Sequence, residues 1–207
     1  MLAGVSLATL AACGSAKPAT FHPGGGKLSD ASSSPASAPP STDGLTWPPF
    51  GPDVHIVMPS WLPSSGSRRQ AVITAKNFLL AFLYAEYKGN QDQRWTSYVS
   101  GANVTDGLKS TLNVPSVTTE SFKGTISFTH MQAFADPKAK GAIDVAECFD
   151  NSQSQNTSLA TGKVIPDHTP RNQHYYRNTD VLAQNGGWHV VSVYPVVFYP
   201  RAKECRP

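Results

Sequence analysis

Residues 67–87, SRRQAVITAKNFLLAFLYAEY, decide the fold that we expect for this chain. Large apolar residues recur there at helical spacing and form one wide face: Val72, Phe78, Leu79, Phe82 and Leu83. Ser67 is a suitable N-cap, and Gly89 follows the last turn, where helices commonly end in glycine. The pattern predicts one long helix that buries an apolar face.

The pattern changes on the C-terminal side of this helix. Two shorter helical pieces are expected near 91–99 and 104–112, and the first would bury Trp95 and Tyr98. After Pro115 the apolar residues follow a period of two, which predicts strands at 125–132 and 143–149.

A final pair of strands is expected in HYYRNTDVLA and WHVVSVYPVVFY, which a glycine-rich turn joins. The polar stretch 150–163 is predicted to be a flexible loop between strands. The resulting class is α+β, with a long N-terminal helix and short helices packed on a curved antiparallel sheet.

The part of the chain before the long helix divides by composition. Residues 14–46 are mostly Ser, Pro, Gly, Ala and Thr, which predicts a disordered linker. Residues 47–66 are also rich in Pro but include large apolar groups such as Trp47, Phe50 and Trp61. We expect this segment to pack in extended form on a domain that spans 67–207. The alternative is an exposed apolar surface for a partner protein.

Residues 1–13 resemble a lipoprotein signal segment. An apolar run too short to span a bilayer ends in Leu10-Ala11-Ala12-Cys13-Gly14, which resembles the bacterial lipobox. The resemblance implies that Cys13 is lipidated, with a diacylglyceryl group and usually a third acyl chain such as palmitate. The domain would then be held at the outer face of the cytoplasmic membrane. No Lys or Arg precedes the apolar run, so we expect the true translation start to lie upstream; the alternative is a chance cysteine in a disordered arm.

Charge and cysteine content narrow the choice of partners. The formal net charge is only +3 and the basic residues are scattered, which argues against nucleic acid. Besides Cys13 the chain has two cysteines, Cys148 and Cys205, which we expect to form a disulfide in an exported protein. A reactive Cys148 is the alternative, although no neighbouring basic group favours it.

Several motifs resemble known families. The long helix, an acidic-aromatic second helix and a hairpin ending in Gly186-Gly187-Trp188-His189-Val190-Val191 resemble the nuclear transport factor two-like (cystatin-like) conical fold. Four further stretches resemble uncharacterised actinobacterial lipoproteins: 82–87, 147–152, 161–163 and 203–205. The resemblance runs from Trp47 to the C-terminus. It implies a fold and a location but no reaction, because that fold carries many activities.

Enzymes of that fold place an acid or imidazole inside the cone. The candidate side chains are these: Asp92, Trp95, Tyr98, His130, Asp144, Glu147, Tyr176, Asp180 and His189. We take Trp95, Tyr98, His130, Glu147 and Tyr176 as the candidate pocket and assign no catalytic residue. Strict alternation would turn both His130 and Glu147 inward, where they could exchange a proton. Asp144 and His189 are expected on exposed strand faces.

Metal and cofactor sites are not expected. Alternate polar residues from Asp150 to Asn156 imitate half of a calcium loop, but Gln155 replaces its glycine and Thr161 its final Glu. The six His form no zinc-binding pair.

Three functions remain open. The first is a non-catalytic envelope lipoprotein that binds a partner protein or small ligand. The second is a cone-pocket enzyme of the isomerase, dehydratase or cyclase type. The third, a substrate-binding lipoprotein of a transporter, fits poorly with a chain this short.

Overall fold

The computed structural model describes residues 44–137, 140–166, 174–184, 187–193, 197–198 and 205. Helix α1, Gly66–Tyr87, lies at its centre. From Ala71 to Ala85 every side chain of α1 is buried except those of Ile73 and Thr74. A helix that is apolar nearly all round must be covered on more than one side, so α1 is the core of the fold rather than one of its surfaces.

Shorter helices follow α1. A 3₁₀ helix, Arg94–Tyr98, places Trp95 in the core, and α2, Ala102–Leu112, contributes Leu108 and Leu112. A further turn of helix, α3, Pro115–Thr119, lies between α2 and the strands that were expected after Pro115. Proline suits the first turn of a helix because its missing N–H has no partner there in any case.

The sheet comprises six strands in the described residues: β1 Val54–Val57, β2 Glu120–Ala135, β3 Ile143–Ser158, β4 His174–Gln184, β5 Gly187–Val193 and β6 Val197–Phe198. The order is β1-β2-β3-β4-β5, and β6 pairs with β4. All pairs are antiparallel except β1 with β2, which run parallel. The α+β class is therefore confirmed, but the sheet is mixed rather than antiparallel throughout.

The expected flexible loop at 150–163 is wrong over most of its length. Strand β3 continues to Ser158, because its polar second half pairs with the first half of β2, from Glu120↔Ser158 to Thr125↔Gln153. Polar side chains allow this extension because most of this part of β3 lies at the surface. Only the end of the predicted loop, from Leu159, leaves the strand.

A β-bulge interrupts β2 where it faces the middle of β3. Thr129 pairs with Cys148 and Gln132 with Ala146, so His130 and Met131 together oppose Glu147. His130 has a φ of 50°, in the left-handed region that few residues other than glycine adopt. Beyond the bulge the inward positions move from Ile126 and Phe128 to Met131.

The predicted disulfide between Cys148 and Cys205 is confirmed, with the two Cα atoms 5.4 Å apart. Both sulfur-bearing residues are buried. On β3 every residue from Ile143 to Cys148 is buried, so both faces of this part of the strand are covered. The bridge thus ties the C-terminal segment to the central strand of the sheet.

Residues 44–62, which we call the strap, cover α1 on one side. Asn77 Oδ1 accepts a hydrogen bond from Thr46 N at 2.8 Å, and Asn77 Nδ2 donates to Gly44 O at 3.0 Å. Lys76 is 1% exposed, and its Nζ donates to the carbonyl oxygens of Pro59 at 2.6 Å and Trp61 at 2.9 Å. The strap includes β1, which pairs with β2, so it is built into the sheet as well as the helix surface.

The expected division into signal segment, linker and domain stays a prediction. Residues 1–43, with Cys13, lie outside the described residues. Residues 44–46, which fall at the end of the expected linker, are fixed to α1 through Asn77.

Candidate functional site

Glu147 is the most deeply buried carboxylate among the described residues, with no exposed surface. It lies on the same face of β3 as Ile143, Val145 and Phe149, which belong to or pack against the core beneath α1. Its register partner on β4 is Arg177. The carboxylate is not left without a partner, as expected for a charge in such a place.

Trp95 and Tyr98 enter the same core from the 3₁₀ helix. Trp95 is fully buried and packs edge-on against Phe82, with ring centroids 6.0 Å apart. Its Nε1–H has no hydrogen-bond partner in the described part of the chain. Tyr98 is half-buried and packs against the core cluster. Trp95 therefore offers an unused donor inside the molecule, which is uncommon for a buried polar group.

His130 does not join these residues, which corrects its expected inward position. Its side chain is exposed, and its Nδ1 lies 3.2 Å from the hydroxyl of the neighbouring Thr129. No hydrogen bond or ion pair joins His130 to Glu147, although the bulge places their backbones opposite each other. Strict alternation fails here because the extra residue of the bulge turns His130 to solvent.

Tyr176 is described only through its backbone. It lies on β4, opposite Cys148 on one side and Val197 on the other. Its side chain lies outside the described residues, as does that of Asp180. The part that Tyr176 plays in a pocket stays a prediction.

Two further candidates, Asp92 and Asp150, have local explanations. Asp92 forms an ion pair with Arg94 at 2.9 Å, and the Arg94 guanidinium lies 4.7 Å above the ring of Tyr84. Asp150 accepts a hydrogen bond from Ser152 N at 2.8 Å within β3, so the residues that imitate a calcium loop lie in a strand. These contacts indicate structural roles for Asp92 and Asp150.

The expectation that Asp144 and His189 are exposed is wrong, because Asp144 is buried and His189 is half-buried. Asp144 is 7% exposed, on the opposite face of β3 from Glu147, and it has a partner in the protein. His189 on β5 is half-buried, and its Nδ1 is buried with no partner among the described residues. Asp144 was misjudged because β3 is covered on both faces, a property that a period of two cannot reveal.

The residues that sequence reasoning missed are Lys76 and Asn77. Both are buried on α1, and both satisfy backbone groups of the strap. The available signal was their position, since Lys76 and Asn77 interrupt the run from Ala71 to Ala85, whose other residues are apolar apart from Thr74 and Tyr84. Such residues are expected to have specific hydrogen-bond partners when the whole helix is buried.

The core holds the buried Glu147 carboxylate and the buried Trp95 indole, whereas His130 is exposed and the buried carboxylate of Asp144 lies on the other face of β3. Among the described residues, no group of three or more His, Cys, Asp or Glu side chains is placed to hold a metal ion. In the same part of the chain, no helix is both long enough and apolar enough to span a membrane.

No protein-family model matches the sequence, and neither does any curated protein.

Proposed function

We propose that this chain is an exported lipoprotein whose domain acts as a non-catalytic binding or scaffolding module at the cell envelope. The observation that carries the proposal is the Cys148–Cys205 disulfide, formed by the two cysteines that remain beside the lipobox residue Cys13. Structural disulfides persist in oxidising compartments and are rare in the cytosol. The pattern Leu10-Ala11-Ala12-Cys13-Gly14 supports lipid anchoring at the outer face of the cytoplasmic membrane.

Cell fractionation tests the anchor. In a host that processes lipoproteins, the natural chain should sediment with membranes, whereas the Cys13→Ser variant should appear in the soluble extracytoplasmic fraction or the medium. Two or three acyl chains hold a protein on a bilayer far more firmly than one, so the difference should be nearly complete. Equal membrane retention of the two proteins would contradict lipidation at Cys13.

We also propose that the domain is a nuclear transport factor two-like cone, related to uncharacterised actinobacterial lipoproteins. The support is the placement of α1 and the short helices against one side of a bulged sheet. Bulges increase the local twist and bend of a sheet, as a cone requires. The core residues of β3 and the 3₁₀ helix would then line the inside of the cone.

The non-catalytic part of the proposal rests on the separation of His130 from Glu147. A proton-transfer pair needs both groups in one enclosed site, and His130 is exposed. Modification by diethyl pyrocarbonate, followed by mass spectrometry, should label His130 rapidly in the folded protein. Protection of His130 until the protein unfolds would remove this support.

One observation favours the alternative, a cone-pocket enzyme. Glu147 and Trp95 are both fully buried in the core, and the indole Nε1–H has no partner among the described residues. A small ligand that enters beside them would shift the Trp95 indole N–H signal in an NMR fragment screen, with Trp95→Phe assigning that signal. If no fragment shifts it while the backbone signals of other residues respond, the interior is core and the binding surface lies elsewhere.

A further inference from the structure

The strap exposes two tryptophan side chains. Trp47 is 38% exposed and Trp61 45% exposed, whereas Trp95 is fully buried. Tryptophan is expensive to leave in water because its large apolar surface is usually buried. Two such residues on one segment therefore indicate a surface that another phase or molecule covers.

Both tryptophans stand on backbone that is fixed to α1. The residue before Trp47 donates its N–H to Asn77, and the carbonyl of Trp61 accepts from Lys76. Each stretch of the strap that carries an indole is thus fixed to the buried helix α1 by a side-chain hydrogen bond, so both tryptophans stand on ordered backbone.

Charge around the strap favours an anionic partner. Arg68 and Arg69 follow the strap in the first turn of α1, with Arg68 exposed and Arg69 Nη1 donating to Pro63 O at 3.2 Å. Asp53 is the single acidic residue between Gly44 and Arg69. Indoles beside basic side chains suit the headgroup region of an anionic bilayer, where tryptophan is enriched and Arg is attracted.

The position of the strap in the chain selects the same partner. The strap begins where residues 14–43 end, so it is the described segment nearest in sequence to Cys13. The composition of residues 14–43 predicts a flexible linker, and a flexible chain of about 30 residues has an end-to-end distance on the order of 30 Å. With Cys13 lipidated, which rests on the proposed function, the tryptophans would meet a high effective concentration of membrane surface.

We propose that the strap is a membrane-docking surface, in which Trp47 and Trp61 insert at the headgroup level of an anionic bilayer while Arg68 lies near the phosphates. Docking would fix the orientation of the domain on the membrane to which its anchor holds it.

The test uses the full chain carrying Cys13→Ser, so that no lipid anchor contributes. Co-sedimentation with vesicles of phosphatidylglycerol and phosphatidylethanolamine measures its partition coefficient. Adding Trp47→Ala and Trp61→Ala together should lower that coefficient about tenfold, because interfacial binding scales with the apolar area inserted. The matched control is Val114→Ala with Val164→Ala, at side chains that are 41% and 42% exposed outside the strap; it should leave the coefficient unchanged.

Equal partitioning of the tryptophan variant and its parent overturns the proposal, as does a parent that does not bind these vesicles; the tryptophans would then serve a protein partner. If the double variant fails to fold, vesicles of brominated lipids test the same point. Insertion of the tryptophans should then quench the tryptophan fluorescence of the Cys13→Ser protein. The apolar run that precedes position 13 is present in every variant, so its contribution to vesicle binding is the same in each. Because every protein lacks the anchor, the outcome is independent of whether Cys13 is lipidated in the cell.

Discussion

At the residue scale, the chain depends on polar side chains placed deep in an apolar helix. The spacing of Val72, Leu79 and Phe82 was sufficient to predict α1 and its buried face. It could not predict that the opposite face is buried too, because that burial comes from the strap. Lys76 and Asn77 make the second burial possible, since the carbonyl and N–H groups of an irregular segment need partners there.

Lys76→Met should lower the free energy of unfolding by about 2 kcal/mol, because two carbonyl oxygens lose a charged donor. Methionine keeps the length and apolar volume of the side chain, so packing loss is small. Urea unfolding followed by circular dichroism measures the effect. Lys163→Met, at an exposed position, is the control and should change stability by less than about 0.5 kcal/mol. Similar stabilities for the two variants would show that Lys76 does not fix the strap.

Gly124→Ala should destabilise the protein by about 2 kcal/mol or more. Gly124 has a φ of 94°, and an added Cβ would collide with the carbonyl oxygen of Gln153 on β3. The matched change is Gly107→Ala in α2, where a Cβ meets nothing within 4 Å. That change should stabilise by about 0.5–1 kcal/mol, because alanine favours a helix over glycine. Thermal unfolding of the two variants should shift in opposite directions, and shifts of the same sign would contradict the placement of Gly124.

At the element scale, the existence of most helices and strands followed from the sequence, but their partners did not. Period-two patterning located the middle of β2 and the first half of β3, whereas the polar second half of β3 was predicted to be a loop. Long-range pairing with Glu120–Thr125 makes it a strand. Patterning also could not show the bulge at His130, because a bulge is a property of two strands in register.

The backbone conformation at the bulge should limit which residues position 130 tolerates. His130→Val should lower stability by about 1–2 kcal/mol, because a β-branched residue is strained at the observed φ of 50°. His130→Gly should be neutral or slightly stabilising, since glycine adopts that conformation without strain. Chemical unfolding of both variants measures the contrast. A stable valine variant would mean that β2 can pair with β3 in regular alternation.

At the scale of the whole molecule, cysteine pairing was predictable because the chain has two cysteines besides Cys13. The candidate site was predictable only in part. Trp95 and Glu147 are fully buried and Tyr98 is half-buried against the core, whereas His130 is at the surface. The residues that reach the inside depend on the bulge and on the cover over β3, and neither is encoded in a local pattern.

Removal of the Cys148–Cys205 bridge should have the largest effect of the changes considered. The sequence separation of 57 residues corresponds to about 4 kcal/mol in the chain-entropy model. The Cys148→Ser and Cys205→Ser double variant should therefore unfold at a clearly lower denaturant concentration than the oxidised protein. Reduction of the natural protein should reproduce the effect, and unchanged stability in both cases would contradict a structural role for the bridge.

We propose above that this domain is exported and held at the membrane through Cys13. The decisive measurement is intact and peptide mass spectrometry of protein extracted from the membranes of its native host. We expect a mature chain that begins at Cys13, with a diacylglyceryl group on its sulfur and Cys148 joined to Cys205. A chain that carries an unmodified Cys13, or that retains the residues before it, would contradict lipid anchoring at Cys13.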